Sequence, residues 1–169
     1  MGGDLFTFPE LLSKMIKMVE KTIAILADTG EFPAALMEAF AMQDLRLLYV
    51  SENEENNVAF KNRLDNLKIL VEVEFLSCER EGCWEADIIA FTQPDNISPT
   101  LAEKIKEVAT QKIVLVVSGE SKSGNFSALF PNSKVVEVVV NSQGKGFMVS
   151  GKDSVANAEV QELMEGYAK

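Results

Sequence analysis

Residues 21–36, KTIAILADTGEFPAAL, limit this chain more than any other stretch. Ile23, Ala24, Ile25 and Leu26 make a run of apolar residues that reads as a buried strand. The run breaks at Asp28-Thr29-Gly30. An amphipathic helical pattern follows at once, with Phe32, Ala35, Leu36, Ala39 and Phe40 at helical spacing. Strand, glycine turn and helix is the opening of a βαβ unit, and it sets the class of fold that the remaining residues can join.

The rest of the chain continues in the same alternation. Leu45–Val50 (LRLLYV) reads as a second strand, and the polar run from Ser51 to Asn57 caps a helix through about Asp65. Ile69–Leu76 reads as a third strand, and its alternation at Glu72 and Glu74 suits an edge with one wetter face. Glu79–Glu85 is a short connection of about one helical turn. Ala86–Phe91 is a fourth strand ending at Thr92-Gln93-Pro94. Ser98-Pro99 then opens a helix, serine as cap and proline as its first residue. Ile113–Val117 has the continuous apolar character of a central parallel strand. Ser118–Asn125 reads as a loop and Phe126–Phe130 as a helical turn. Lys134–Val140 and Gly146–Ser150 are two further strands, and Asp153 or Ser154 caps a last helix through about Gly166. At these spacings the expected architecture is α/β: a doubly wound, Rossmann-like, mostly parallel sheet with helices on both faces.

The 169 residues are enough for one such domain, over residues 19–169, with residues 1–18 as an appendage. Within that appendage Phe8–Met18 can form an amphipathic helix with Leu11, Leu12, Met15 and Ile16 on one side. It either packs on its own domain or is offered to a second subunit, for which methionines are suited. The 26 acids against 16 bases give a net charge of −10, which repels a phosphate backbone and argues against nucleic acid as a partner. No run of 18 apolar residues and no basic start with an apolar core is found, so neither a membrane span nor a secretory leader is expected. Cys78 and Cys83 do not make a disulfide framework, and the expected compartment is the cytoplasm.

In a doubly wound sheet, ligands sit outside the carboxyl ends of the strands where strand order reverses. That rim is expected at Ala27–Phe32, Ser51–Asn53, Thr92–Asn96 and Ser118–Gly119. The N-terminus of the first helix would offer free N–H groups and partial positive charge to the pyrophosphate of a dinucleotide.

Together these segments resemble the dinucleotide-binding domain of the deazaflavin-dependent NADP reductases, over roughly residues 21–165. The resemblance rests on IAILADTGEFPAAL, on EADIIAFTQP followed by a helix, on KIVLVVS, and on LFPNSKVV leading to MVSGKD and a closing helix. It implies a Rossmann fold, a nicotinamide dinucleotide held at Ala27, Asp28, Thr29, Gly30, Glu31 and Phe32, and a nicotinamide lying beside Thr92, Gln93 and Pro94. The family carries glycines where this chain has Ala27, Gly30 and Pro33, so only Gly30 is kept. Asp28 and Glu31 add charge. A carboxylate ~6 Å from a phosphate is repelled by roughly 3 kcal/mol at an effective dielectric of about 20, against ~0.3–1 kcal/mol from an exposed helix N-terminus. The spacing Asp28-x-x-Glu31 also permits both acids to cap the helix, in which case the site survives.

At the end of the second strand the family tends to have Ser-Arg, the cation taking the 2′-phosphate of NADP. Here the pair is Ser51-Glu52, and an acid about twenty residues beyond the turn is what binds a ribose 2′-OH in NAD sites. Of NAD and NADP, Glu52 favours NAD. The other reading of Glu52 is the start of a solvated helix.

Catalytic groups are few. The chain has no histidine, which removes histidine-based triads and imidazole metal sites. Cys78 and Cys83 have no second pair for zinc, and a buried thiol near Trp84 is the expectation; no metal residues and no catalytic residues are assigned. Hydride passing between two cofactors needs placement rather than proton transfer, so the lack of a general acid leaves an oxidoreductase reading open. The family completes its second-cofactor site with further C-terminal structure and a partner subunit, neither matched by these residues. Two readings therefore stand. One is a NAD(P)-binding oxidoreductase-like domain; the other is a degenerate Rossmann scaffold that binds no dinucleotide and acts as an oligomeric or regulatory partner.

Overall fold

The computed structural model describes residues 7–9, 21–28, 34–119, 125–141 and 146–165. The proposed N-terminal helix is described only at Phe8 and Pro9, which are helical, and the rest of it lies outside the described residues. Thr29, Gly30, Glu31, Phe32 and Pro33 lie outside them too.

The first strand, β1 (Lys21–Leu26), is followed by α1 (Ala34–Ala41), β2 (Leu45–Val50), α2 (Glu54–Asn66), β3 (Glu72–Leu76), α3 (Glu79–Glu85) and β4 (Ile88–Phe91). A short 3-10 turn, Pro94–Asn96, leads to α4 (Pro99–Ile105), β5 (Ile113–Ser118), α5 (Phe126–Leu129), β6 (Lys134–Val140), β7 (Phe147–Gly151) and α6 (Ser154–Met164). The seven strands form one sheet in the order β3-β2-β1-β4-β5-β6-β7. All neighbours are parallel except β6 and β7, which are antiparallel. The sheet is therefore the mostly parallel Rossmann-like one, and its order reverses between β1 and β4.

Alternation along the strands builds two cores. Ile23 and Ile25 of β1 join Leu36 and Phe40 of α1, Phe60 and Leu64 of α2, and Val160 and Met164 of α6 on one face. Ala24 and Leu26 join Cys83 of α3, Ala102 and Ile105 of α4, and Phe130 on the other. Because both faces are covered, β1 is buried from Thr22 onwards. Burial of this kind contributes about 25 cal/mol per Å2 of apolar surface removed from water.

Local chemistry sets most boundaries. Ser98 Oγ accepts the Leu101 N–H at 3.1 Å with Pro99 next in line, and Asp153 Oδ1 accepts the Ala156 N–H at 2.9 Å, so both helix starts lie where a cap was expected. β3 is shorter than the apolar run suggested. Lys68 takes φ 55° and donates its N–H to Asp65, while Ile69 donates to Leu64. This is the paired closure of a helix C-terminus, so residues 67–69 end α2 rather than begin the strand. Glu79–Glu85 is a seven-residue helix, longer than the single turn expected. Lys112 Nζ donates to the carbonyls of Cys83 and Trp84 at 2.5 and 2.6 Å, satisfying the last turn of α3. Among the described residues no helix is long and apolar enough to cross a membrane.

Candidate functional site at the reversal of the sheet

The candidate site begins where β1 ends. Ala27 has φ 57°, a left-handed conformation that an alanine adopts at a cost of about 1 kcal/mol. The bend turns Asp28 inward, to 6% exposure. Tyr49, on the neighbouring strand β2, donates its hydroxyl to Asp28 Oδ2 at 2.6 Å. Thr92, immediately after β4, donates to Asp28 Oδ1 at 3.2 Å. Hydroxyls from the strands on either side of β1 thus hold the carboxylate, and hydrogen bonds to a charged group of this kind are the stronger ones.

The backbone of the same bend is gripped as well. Asn56, on α2, donates its side-chain amide to the Asp28 carbonyl at 3.3 Å. Asn96, in the turn after β4, donates to the Ala27 carbonyl at 3.1 Å and to Gln93 Oε1 at 2.8 Å. Tyr49 is itself fixed. Its ring is fully buried, stacked on Phe60 with centroids 4.1 Å apart and edge-on to Phe75 at 5.9 Å. The site is therefore tied into the core under α2.

The residues expected at the rim are placed as follows. Ala27, Asp28, Thr92 and Gln93 form one hydrogen-bonded group, and Pro94 opens the turn that carries Asn96. Ser51 and Glu52 stand at the end of the adjacent strand. The Ser51 N–H bonds the Leu76 carbonyl at 2.9 Å and its hydroxyl accepts the Asn53 N–H at 3.1 Å, so Ser51 serves its own loop. Glu52 is exposed just before the Asn53 cap of α2. Thr29, Gly30, Glu31 and Phe32 fall outside the described residues. Tyr49 and Asn56 belong to the site and were not anticipated from the sequence, whereas Asn96 closes the expected rim segment Thr92–Asn96. A lone tyrosine inside the apolar LRLLYV run was the signal for the first, because a buried phenol needs a partner; no comparable signal marks Asn56.

Neither cysteine contributes here. Cys83 is buried in the core, and burial pushes its thiol up to about 12, which leaves it protonated and unreactive near neutrality. Cys78 is exposed at the start of α3.

No family model matches the chain, and no curated protein matches it in sequence. Solved structures do match its shape. An Arthrobacter protein described as a candidate F420-dependent NADP-reductase superimposes with a TM-score of 0.64 at 16% identity, over 88% of this chain and 80% of that one. A pyrroline carboxylate reductase of Plasmodium falciparum, solved with NADP bound, gives 0.64 at 17% identity over 88% of this chain and 55% of its own. An NDP-N-acetyl-D-galactosaminuronic acid dehydrogenase of Methanosarcina mazei gives 0.64 at 13% identity over 98% and 46%. The chain thus spans about half the length of the last two. What it shares with all three is the Rossmann-like fold.

Proposed function

We propose that this chain is a nicotinamide-dinucleotide-binding, oxidoreductase-like domain that takes NAD(H) in preference to NADP(H) at the rim formed by Ala27–Phe32, Ser51–Glu52 and Thr92–Pro94. Residues 19–169 act as one unit in this reading, and residues 1–18 as an arm available to a second copy. The observation that carries it is the grip on Asp28. Its carboxylate is turned into the protein between Tyr49 and Thr92, so the acid that would oppose a pyrophosphate is engaged by hydroxyl donors rather than aimed outward. Exposed Glu52 supplies the ribose partner of an NAD site and lacks the cation that a 2′-phosphate needs. When bound, the dinucleotide would supply a hydride donor or acceptor at its nicotinamide. The chain's own part is to hold the two ends of the cofactor, with Thr92, Gln93 and Pro94 beside the ring and no proton transfer required of them.

A second reading is supported by the same group of residues. The Ala27 and Asp28 carbonyls are held by asparagine amides and the Asp28 charge remains inside the turn, as suits a scaffold acting through its surface. Thermal unfolding with NAD, NADH, NADP and NADPH separates the two. A dinucleotide at a hundred times its Kd should add ~2.7 kcal/mol, and the first reading fails if none of the four shifts the transition. Deleting residues 1–18 should lower self-association if the arm joins subunits; an unchanged oligomeric state would count against that role.

A further inference from the structure

The sheet has a second charged edge. Lys134 opens β6 and Lys152 follows β7, and the antiparallel register that sets Val136 opposite Gly151 brings them together at the amino-terminal edge. This is the edge away from Ala27 and Thr92. Between them opens a cavity of about 470 Å3, with Ser127, Phe130, Pro131 and Asp153 in its wall. Phe130, buried beneath the cavity, is stacked on Phe91 at 5.9 Å, which fixes the chain that leads into exposed Pro131.

Neither Lys134 nor Lys152 has an ion pair among the described residues. The carboxylate in the same wall, Asp153, accepts the Ala156 N–H and caps α6. A neighbouring cavity of about 400 Å3 shares Lys134 and adds Lys21 and Lys112, with the acids Asp87 and Glu159. Glu159 pairs with Lys21 at 3.7 Å, and Asp87 accepts the Thr22 N–H at 2.9 Å. In the walls of these two cavities, four lysines stand with three carboxylates, and two of those carboxylates, Asp87 and Glu159, belong to the second cavity.

We propose that Lys134 and Lys152 bind a small phosphate monoester, its dianion between the two ammoniums and its organic part against exposed Pro131. Two monocations match one dianion. The Ser127 hydroxyl adds a donor, and a cavity of this volume has room for a metabolite rather than an ion alone. Both ammoniums remain near solvent, so little desolvation opposes binding. The site lies at the opposite edge from the dinucleotide rim and does not depend on that reading.

The test is calorimetric titration of the full chain with phenyl phosphate and inorganic phosphate at pH 8, against sodium chloride at matched ionic strength. Phenyl phosphate should bind saturably and more tightly than inorganic phosphate. Each of Lys134→Gln and Lys152→Gln should weaken it about threefold, as loss of an exposed ion pair does, and the double variant about tenfold. Asp28→Asn should leave it unchanged. Absence of saturable binding would overturn the proposal, as would equal affinity in a double variant whose unfolding transition matches the wild type.

Discussion

At the carboxyl edge of the sheet a carboxylate is folded into the protein and held by the hydroxyls of Tyr49 and Thr92. At the amino edge the ammoniums of Lys134 and Lys152 are exposed and have no acidic partner among the described residues. The first edge has moved its charge into the structure, where the desolvation it costs is offset by the hydrogen bonds from Tyr49, at 2.6 Å, and Thr92, at 3.2 Å. The second leaves its charge available. Net charge alone, −10, conveys neither arrangement. What separates the edges is how much packing stands behind the charged group: Asp28 is backed by the Tyr49–Phe60 stack, whereas Lys134 and Lys152 rest on a turn and a cap.

The largest test of that contrast is Phe60→Ala. Removing a fully buried phenyl should cost ~3–5 kcal/mol in denaturant unfolding, and it should free the Tyr49 ring, visible as faster ring flipping by NMR. A rigid ring in the variant would mean that the carboxyl edge does not depend on α2. Tyr49→Phe should cost ~1.5–3 kcal/mol, because it withdraws a donor from a buried carboxylate. In an Asp28→Asn background the same change should cost only ~1 kcal/mol, the worth of a neutral bond. Equal costs in the two backgrounds would show that the charge is not what Tyr49 holds.

Asp28→Asn also bears on binding. With a carboxylate taken as about 6 Å from a phosphate at an effective dielectric of ~20, the repulsion is roughly 3 kcal/mol, so affinity for NADH should rise about a hundredfold. Unchanged affinity would mean that the grip already isolates the acid. The smallest effect compares one bend at each edge. Ala27 and Gln111 are both left-handed, at φ 57° and 63°, and each replaced by glycine should gain no more than ~1 kcal/mol in stability. A loss at Ala27 alone would show that the methyl is needed at the site.

Much of the fold could be read from residues. The alternation of apolar runs with capped helical stretches located β1, β2 and β6, and the two best caps, Ser98 and Asp153, act as their positions suggest. The start of β3 was less legible, because Ile69–Val71 are apolar yet Ile69 closes the helix through a left-handed lysine, a position where glycine is the usual signal. At the site, Asp28 just past β1 and Thr92 just past β4 were both legible as rim positions. The route of the Asp28 side chain was not. Capping, facing a phosphate and bonding Tyr49 all use the same residue, and only the register that sets Tyr49 beside Ile25 brings the phenol within reach.

The most direct measurement is calorimetric titration of NADH and NADPH into the wild-type chain and Glu52→Lys. The account predicts that the wild type binds NADH more tightly than NADPH and that Glu52→Lys narrows or inverts this order. A wild-type chain that takes up neither dinucleotide would contradict it, and so would a preference for NADPH with Glu52 in place.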